Sequence, residues 1–573
     1  MRTTPVERRP GGQPAAATAQ APGDDDPASD DPGQDSITEA GQIRTRLDAE
    51  APLIRYLVVS GVLSDDQVQM VKELRLPGVQ LELRGVRQYP AGDLVGPLVG
   101  KTDPEQLGLI GIERHFDQEL RGRDGRIAYV RDARGRPLWM GASGFEPARR
   151  GDDVRLSIDL EIQRIAHEEL TRRVEEWDAA GGRCVVMDPA TGEILAMVDV
   201  LRPVPDAVPF PWPDARPRGQ RRGGGLLYEP PPPIPRGRYI VLKPDPERES
   251  APELARNRCV EDVYEPGSTF KSFVWATATE LGIFNPDSVI NTGGGTWRTP
   301  YGRRINDVHK HGTLTWREVL IESSNIGMSQ AADRMSFDQL SRAVRRFGFG
   351  SLTGLGLPGE ARGLVTPRSQ WSRFTQTSVS FGQEIAVTPV QMVQAFAAFA
   401  RSGSLAGTMP RARLTAAAPD DPERSIVNRV LRSDVANLTR EILHASSVKI
   451  DLNMAREKAD PPPRYSMFGK SGTAQIPLGK PPEGKMRPPG MGFFDRQYNS
   501  SFIAGAPLEE PRLVVLVAID DPGPGLRRTR QHYGSTTAGP AVRRIIERSL
   551  AYLGVPPSPV VHATTRTSSG MAD

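Results

Sequence analysis

Cysteine is almost absent: Cys184 and Cys259 are the two in 573 residues. Two isolated thiols permit neither a zinc-ligand spacing nor a disulfide framework, and Cys259, with nothing nearby to mark a nucleophile, is read as a small buried thiol. Histidine is scarce as well. His309 and His311 alternate on a Lys-Gly-flanked segment, the habit of a polar surface strand or turn, so no metal is expected. Long apolar runs are missing. The best candidates, Ala51 to Leu63 and Leu513 to Ile519, fall short of the roughly eighteen residues a membrane span needs, and Arg55 interrupts the first. Neither a transmembrane helix nor a signal-peptide core is visible. Net charge is only +3. With no dense basic face, nucleic acid is not an expected partner, and the run Arg218 to Arg222 reads as solvated loop charge.

What is present exceeds one ordinary domain. Residues 1–42 are rich in Pro, Gly, Ala and Asp and are expected to be disordered, as is the tail 557–573. Residues 43–150 read as a mixed unit, with a helix at Asp65 to Leu74, a strand at Val79 to Leu83 and hairpin strands at Ile127 to Val130 and Pro137 to Met140. Residues 151–556 alternate helices with strands. Helical spacing marks Leu160 to Trp177, Ser268 to Leu281, Trp316 to Glu322, Ile326 to Arg334, Phe337 to Phe347, Pro389 to Ser402, Asp434 to Ser446 and Gly539 to Leu553. Strands are expected at Cys184 to Pro189, Glu193 to Val198, Ser501 to Ala504 and Leu513 to Ile519. The Pro- and Arg-rich stretch 201–255 is read as a loop insertion. The pattern predicts an α+β fold, helices against an antiparallel sheet.

Three motifs follow in order: Ser268-Thr-Phe-Lys271, Ser323-Ser-Asn325 and Lys470-Ser-Gly-Thr473. A serine hydroxyl is a weak nucleophile until a base takes its proton, and Lys271, one helical turn on, can do so only when neutral. Burial or a neighbouring cation, for which Lys470 is the candidate, must therefore depress its pKa. Ser323 and Asn325, which could equally be helix caps, become in this order a proton relay and an orienting amide. Lys470, Ser471 and Thr473 offer a cation and two hydroxyls to a carboxylate, and Gly472 lets a ligand lie against an edge strand. A second Ser-x-x-Lys, Ser446 and Lys449, sits late in a helical stretch without that setting. Neither a phosphate-binding loop nor a Gly-x-Ser-x-Gly elbow occurs. The chemistry indicated is acyl transfer through a serine to or from a substrate with a free C-terminal carboxylate.

With these motifs the chain resembles the class B penicillin-binding proteins, peptidoglycan D,D-transpeptidases. Glu265-Pro-Gly-Ser-Thr-Phe-Lys271, Asn257-Arg258, Phe347-Gly-Phe-Gly350, Pro358-Gly-Glu360, Gly382 to Pro389 and Asp188-Pro-Ala-Thr-Gly-Glu-Ile-Leu-Ala196 are similar to landmarks of the catalytic domain. Arg87-Gln-Tyr-Pro90, Gly111-Ile-Glu113 and Leu120-Arg-Gly122 resemble the non-catalytic, dimerisation-type pedestal. Tyr264-Glu-Pro-Gly and the segment from Phe381 lean toward the septal, cell-division type. The resemblance implies a β-lactamase-like transpeptidase fold on a pedestal, an acyl-enzyme on Ser268, D-Ala-D-Ala stem peptides and β-lactams as ligands, and no cofactor. It also implies a membrane glycosyltransferase and division proteins as partners, and a place on the outer face of the cell membrane. Family members carry an N-terminal anchor; a Pro-rich acidic segment stands there in this sequence. Alternative readings are a serine β-lactamase or D,D-carboxypeptidase, which passes the acyl group to water, a β-lactam sensor, and a catalytically silent division scaffold.

Overall fold

The computed structural model describes residues 63–82, 87–103, 105–139, 144–205, 207–215, 238–239, 257–416, 428–456 and 462–559. The chain divides into two compact units, 1–85 and 86–573. In the first, Ser64 opens helix α1 (Asp65–Leu74) with a reciprocal capping box, accepting from the Gln67 amide while the Gln67 side chain accepts from its own. The strand expected from Val79 does not form: residues 79–82 are irregular and exposed, and Val79 closes a turn onto Leu76. An alternating pattern becomes a strand only where an edge is available to pair with it.

The second unit is built on five antiparallel strands: β1 (Gly181–Met187), β2 (Ile194–Leu201), β3 (Phe468–Pro477), β4 (Phe493–Ala506) and β5 (Leu513–Asp520), in the order β3-β4-β5-β1-β2. Val517 stands opposite Cys184, which stands opposite Val198. Both faces are covered. Along β5, Leu513, Val515, Val517 and Ile519 enter one core while Val514 and Leu516 enter the other. That double burial is why β5 reads as an unbroken apolar run.

Ten helices carry the argument, α1 among them. Helix α2 (Leu160–Glu176) buries Ile162, Ile165, Ala166, Leu170 and Val174 on one sheet face. Helices α3 (Lys271–Glu280), α4 (Trp316–Ile321), α5 (Asn325–Arg334), α6 (Phe337–Arg346), α7 (Arg373–Ser380), α8 (Pro389–Ala400) and α9 (Ser433–Arg456) follow, then α10 (Gly539–Tyr552). Helix α10 joins α2 through Ala541, Val542, Ile545, Ile546 and Leu550. Helix α8 is buried along its whole length, started by Thr388 as cap and Pro389 as first residue. It is the centre of the larger core on the opposite face, with α3 and α9. The α+β expectation stands, with helices on both sides of the sheet.

Some boundaries differ from expectation. Helix α9 runs three turns beyond Ser446, and α7 was not foreseen. The strand expected from Ile127 to Val130 splits: Arg126–Ile127 pairs with Phe145–Glu146, and Val130–Arg131 with Pro137–Trp139. Part of the insertion is packed. Phe210 joins Ile476, Leu478 and Phe494 in a small core, and the amides of Ala215 and Met486 donate to Gly484 and Pro213. Residues 206, 216–237 and 240–255 lie outside the described residues, as do 1–42. The tail is docked at its start, where the Ser558 amide donates to the Arg464 carbonyl at 2.9 Å; residues 560–573 lie outside the description.

Candidate active site

The first motif begins one turn before α3. Gly267–Phe270 form a 3-10 turn and Lys271 donates its amide to the Ser268 carbonyl, so Ser268 stands half-buried at the helix entry. Two glycines let three chain segments meet there. A Cβ on Gly472 would lie 2.5 Å from the Pro266 carbonyl oxygen, and one on Gly382 would lie 2.0 Å from that of Gly267. Strand β3 and the 382 turn therefore clamp the serine turn at backbone distance.

Lys271 is wholly buried. Its Nζ donates to the Ser323 carbonyl at 2.5 Å and to Ser323 Oγ at 3.2 Å. Burial pushes the Lys271 amine well below the usual lysine range, the Lys470 charge pushes the same way, and Asp307 opposes both. This is the depression that the sequence argument requires of a lysine base. Ser323 sits at φ +58°, left-handed for a non-glycine residue, between α4 and α5. Such a conformation persists only where its surroundings impose it.

The capping role in the second motif falls to Ser324, whose Oγ accepts the Gly327 amide at 2.9 Å. Asp307 fixes this helix entry: its carboxylate accepts from Ser324 Oγ at 2.6 Å and from the Ile326 amide at 3.0 Å. Asn325 Nδ2 donates to the Asn306 carbonyl at 3.0 Å, tying α5 to the hairpin strand Arg304–Asn306.

The third motif lies on β3, the edge strand of the five-stranded sheet. Lys470 is buried and its Nζ donates to the Ser471 carbonyl at 3.3 Å. Ser471 and Thr473 alternate with buried Gly472 and remain partly exposed. Thr473 Oγ1 accepts the Gly534 amide at 3.1 Å, which leaves its proton to donate elsewhere. The three sequence motifs are thus brought together: Lys271 touches Ser323, feels Lys470, and follows Ser268 by one turn. Ser446 lies midway along α9, away from both helix ends; the Lys449 side chain lies outside the described residues.

Several residues here had no sequence signal. Asp307 follows a short strand in an otherwise irregular segment, and nothing adjacent to it in sequence marks a charge that acts on Lys271. Glu265 appears in the sequence only as the first residue of the segment that resembles a catalytic-domain landmark, with no role of its own. It is buried, and its Oε1 accepts the Glu384 amide at 3.1 Å. Behind the turn, Arg258 pairs with Asp199 at 2.7 Å and Asp520 at 2.8 Å, while Arg183 pairs with Asp520 at 2.6 Å and lies over the Tyr264 ring. This buried lattice of opposite charges fixes the chain leading into Glu265 and Ser268.

Among known proteins, a family model described as the penicillin-binding protein transpeptidase domain matches residues 182–547, and one for the penicillin-binding protein dimerisation domain matches 33–156. The chain is 30% identical over 507 residues to the probable peptidoglycan D,D-transpeptidase PbpC of Pseudomonas aeruginosa, covering 88% of this chain and 77% of that protein. It is 29% identical over 520 residues to the peptidoglycan D,D-transpeptidase FtsI of Escherichia coli K12, covering 90% and 75%. Among solved structures, penicillin-binding protein 3 of Mycobacterium tuberculosis complexed with aztreonam is similar with a TM-score of 0.62 at 26% identity, over 84% of this chain and 94% of that one.

Proposed function

The chain belongs to the class B penicillin-binding proteins, peptidoglycan D,D-transpeptidases with a dimerisation domain beside the transpeptidase domain, and from that premise we propose that Ser268 is the residue it acylates. Neutral Lys271 takes the hydroxyl proton as Ser268 Oγ attacks the penultimate D-Ala carbonyl of a stem peptide. The backbone N–H groups of Ser268 and Thr473 hold the oxyanion, donors of a kind whose loss costs about two to three decades in rate. Lys470, Ser471 and Thr473 hold the terminal carboxylate. The proton then passes through Ser323 to the leaving D-Ala amine, Asn325 keeps α5 and the adjoining hairpin in register beside it, and an amine of a neighbouring strand takes the acyl group as a crosslink.

The observation that carries this reading is the buried Lys271 amine, depressed by burial and Lys470 and bonded to Ser323. Incubation with benzylpenicillin followed by peptide mass spectrometry tests it: one adduct is expected, on the peptide containing Ser268, and Ser268→Ala should abolish it. An adduct elsewhere, or none, overturns the assignment. A slowly lost adduct marks a transpeptidase; rapid penicillin turnover would favour the hydrolase reading instead.

The septal role is proposed on Tyr264-Glu-Pro-Gly and the 381–389 segment, together with a membrane glycosyltransferase and division proteins as partners meeting residues 43–150. Among the described residues no helix is long and apolar enough to cross a membrane. A place on the outer face of the cell membrane follows from where the proposed substrate is. Fractionation that recovered active protein only from the cytosol would sink that placement.

A further inference from the structure

The segment 381–389 carries no chemistry of its own, yet it is zipped along the serine turn. Tyr264 and Val387 exchange backbone hydrogen bonds of 3.0 and 2.9 Å, and the Gly267 amide donates to the Gly382 carbonyl at 3.0 Å. Between these backbone ties the single bond is from a side chain, Glu265 Oε1 accepting the Glu384 amide. Glu384 stands at φ +56°, a strained conformation for a non-glycine residue. Glu265 is 8% exposed, and its Oε2 is buried with no hydrogen-bond partner among the described residues.

A carboxylate so placed is costly to ionise. Burial raises the Glu265 carboxyl to about 7; the Glu384 N–H opposes this and the Glu384 charge adds to it. The Glu384 carboxylate itself accepts from Ser378 Oγ at 2.7 Å, and that hydroxyl accepts from Arg303 Nη1 at 2.8 Å, so this cation serves Glu384. Of the other charged groups around the serine turn, Lys470 and Asp307 act on Lys271.

We propose that Glu265 is a positioning residue for acyl transfer: its protonated carboxyl keeps the 382–384 turn docked on Gly267 and Ser268, and its ionisation loosens that contact and slows Ser268. Once charged, Glu265 faces a second carboxylate and has one oxygen without a donor. Relief comes from water, and water enters by parting the turn from the serine loop. The inference rests on Ser268 being the nucleophile.

The test is the pH dependence of the acylation rate constant for the full chain with a fluorescent penicillin. In the unaltered protein an acid limb from Lys271 and an alkaline limb centred near 7 from Glu265 are expected. Glu265→Gln keeps the acceptor without the charge, so it should lose the alkaline limb and acylate above neutral pH faster than the unaltered protein does there. Glu265→Ala should lose the docking contact, slowing acylation at every pH. Glu384→Gln removes the repelling charge and should move the alkaline limb to lower pH, which keeps the proposal decidable if Glu265 variants fail to fold. A Glu265→Gln profile with the alkaline limb unmoved, an unmoved limb in Glu384→Gln, or no such limb in the unaltered protein overturns it. Absence of any labelling in the unaltered protein would instead fail the assignment of Ser268.

Discussion

Lys470 has two distinct consequences for the proposed chemistry, because one ammonium can both attract a carboxylate and repel a proton from a neighbour. Its charge is the second cause, after burial, of the depressed Lys271 amine. Lys470→Met removes it while filling the space. The Lys271 pKa should then rise, so neutral amine appears only at higher pH and the acid limb of acylation shifts upward. Affinity for carboxylate-bearing substrate should fall in the same variant. An acid limb that stays in place would show that burial alone sets Lys271. The same amine bears on stability. Between the depressed value in the folded site and the ordinary lysine range, the unfolded chain binds a proton there that the folded site does not, so this group's share of folding stability grows as pH rises through that window.

At the scale of elements, the lattice around Arg258 binds β2, β5 and the chain before Ser268 into one piece. Arg258→Met would take this cation from buried Asp199 and leave Asp520 with Arg183, and breaking a buried pair from one side costs about 3–5 kcal/mol. The midpoint of chemical denaturation should drop accordingly; a drop under about 1 kcal/mol would show that the two carboxylates find protons or water. How much could be read in advance varies with how local the cause is. The ordered motifs, the helices with capping serines and threonines, and the strand Leu513–Asp520 were legible because their signals are contiguous. Helix α7 was not, since Thr375 to Ser378 and Ser380 are polar yet buried, with Gln376 satisfied by the carbonyls of Ala332 and Met335. Asp307 and Glu265 were silent because their effects on Lys271 and Glu384 cross between segments that only folding brings together. The three-turn extension of α9 past Ser446 is settled by the core: Ile450 packs beneath Tyr465 and α10.

At the scale of the molecule, the two thiols serve as reporters of the two cores. Cys184 belongs to the core under α2 and α10, and Cys259 to the core around α8. Both are fully buried, and burial raises both thiols above their ordinary range. Neither should react with a thiol reagent while the protein is native, and both should react on unfolding. Labelling of one alone at intermediate denaturant would mean that the two sides of the sheet open separately.

The strand order has a temporal consequence. β1 is flanked by β2, its immediate neighbour in sequence, and by β5, which follows it by more than three hundred residues. At about 5–20 residues per second, the ribosome delivers that partner on the order of tens of seconds later. Until then the nascent hairpin presents a bare, apolar flank, the kind of edge that recruits the wrong strand. An early stop shortly before residue 513 should therefore leave β1 without its β5 partner, and the truncated chain should be recovered in the insoluble fraction.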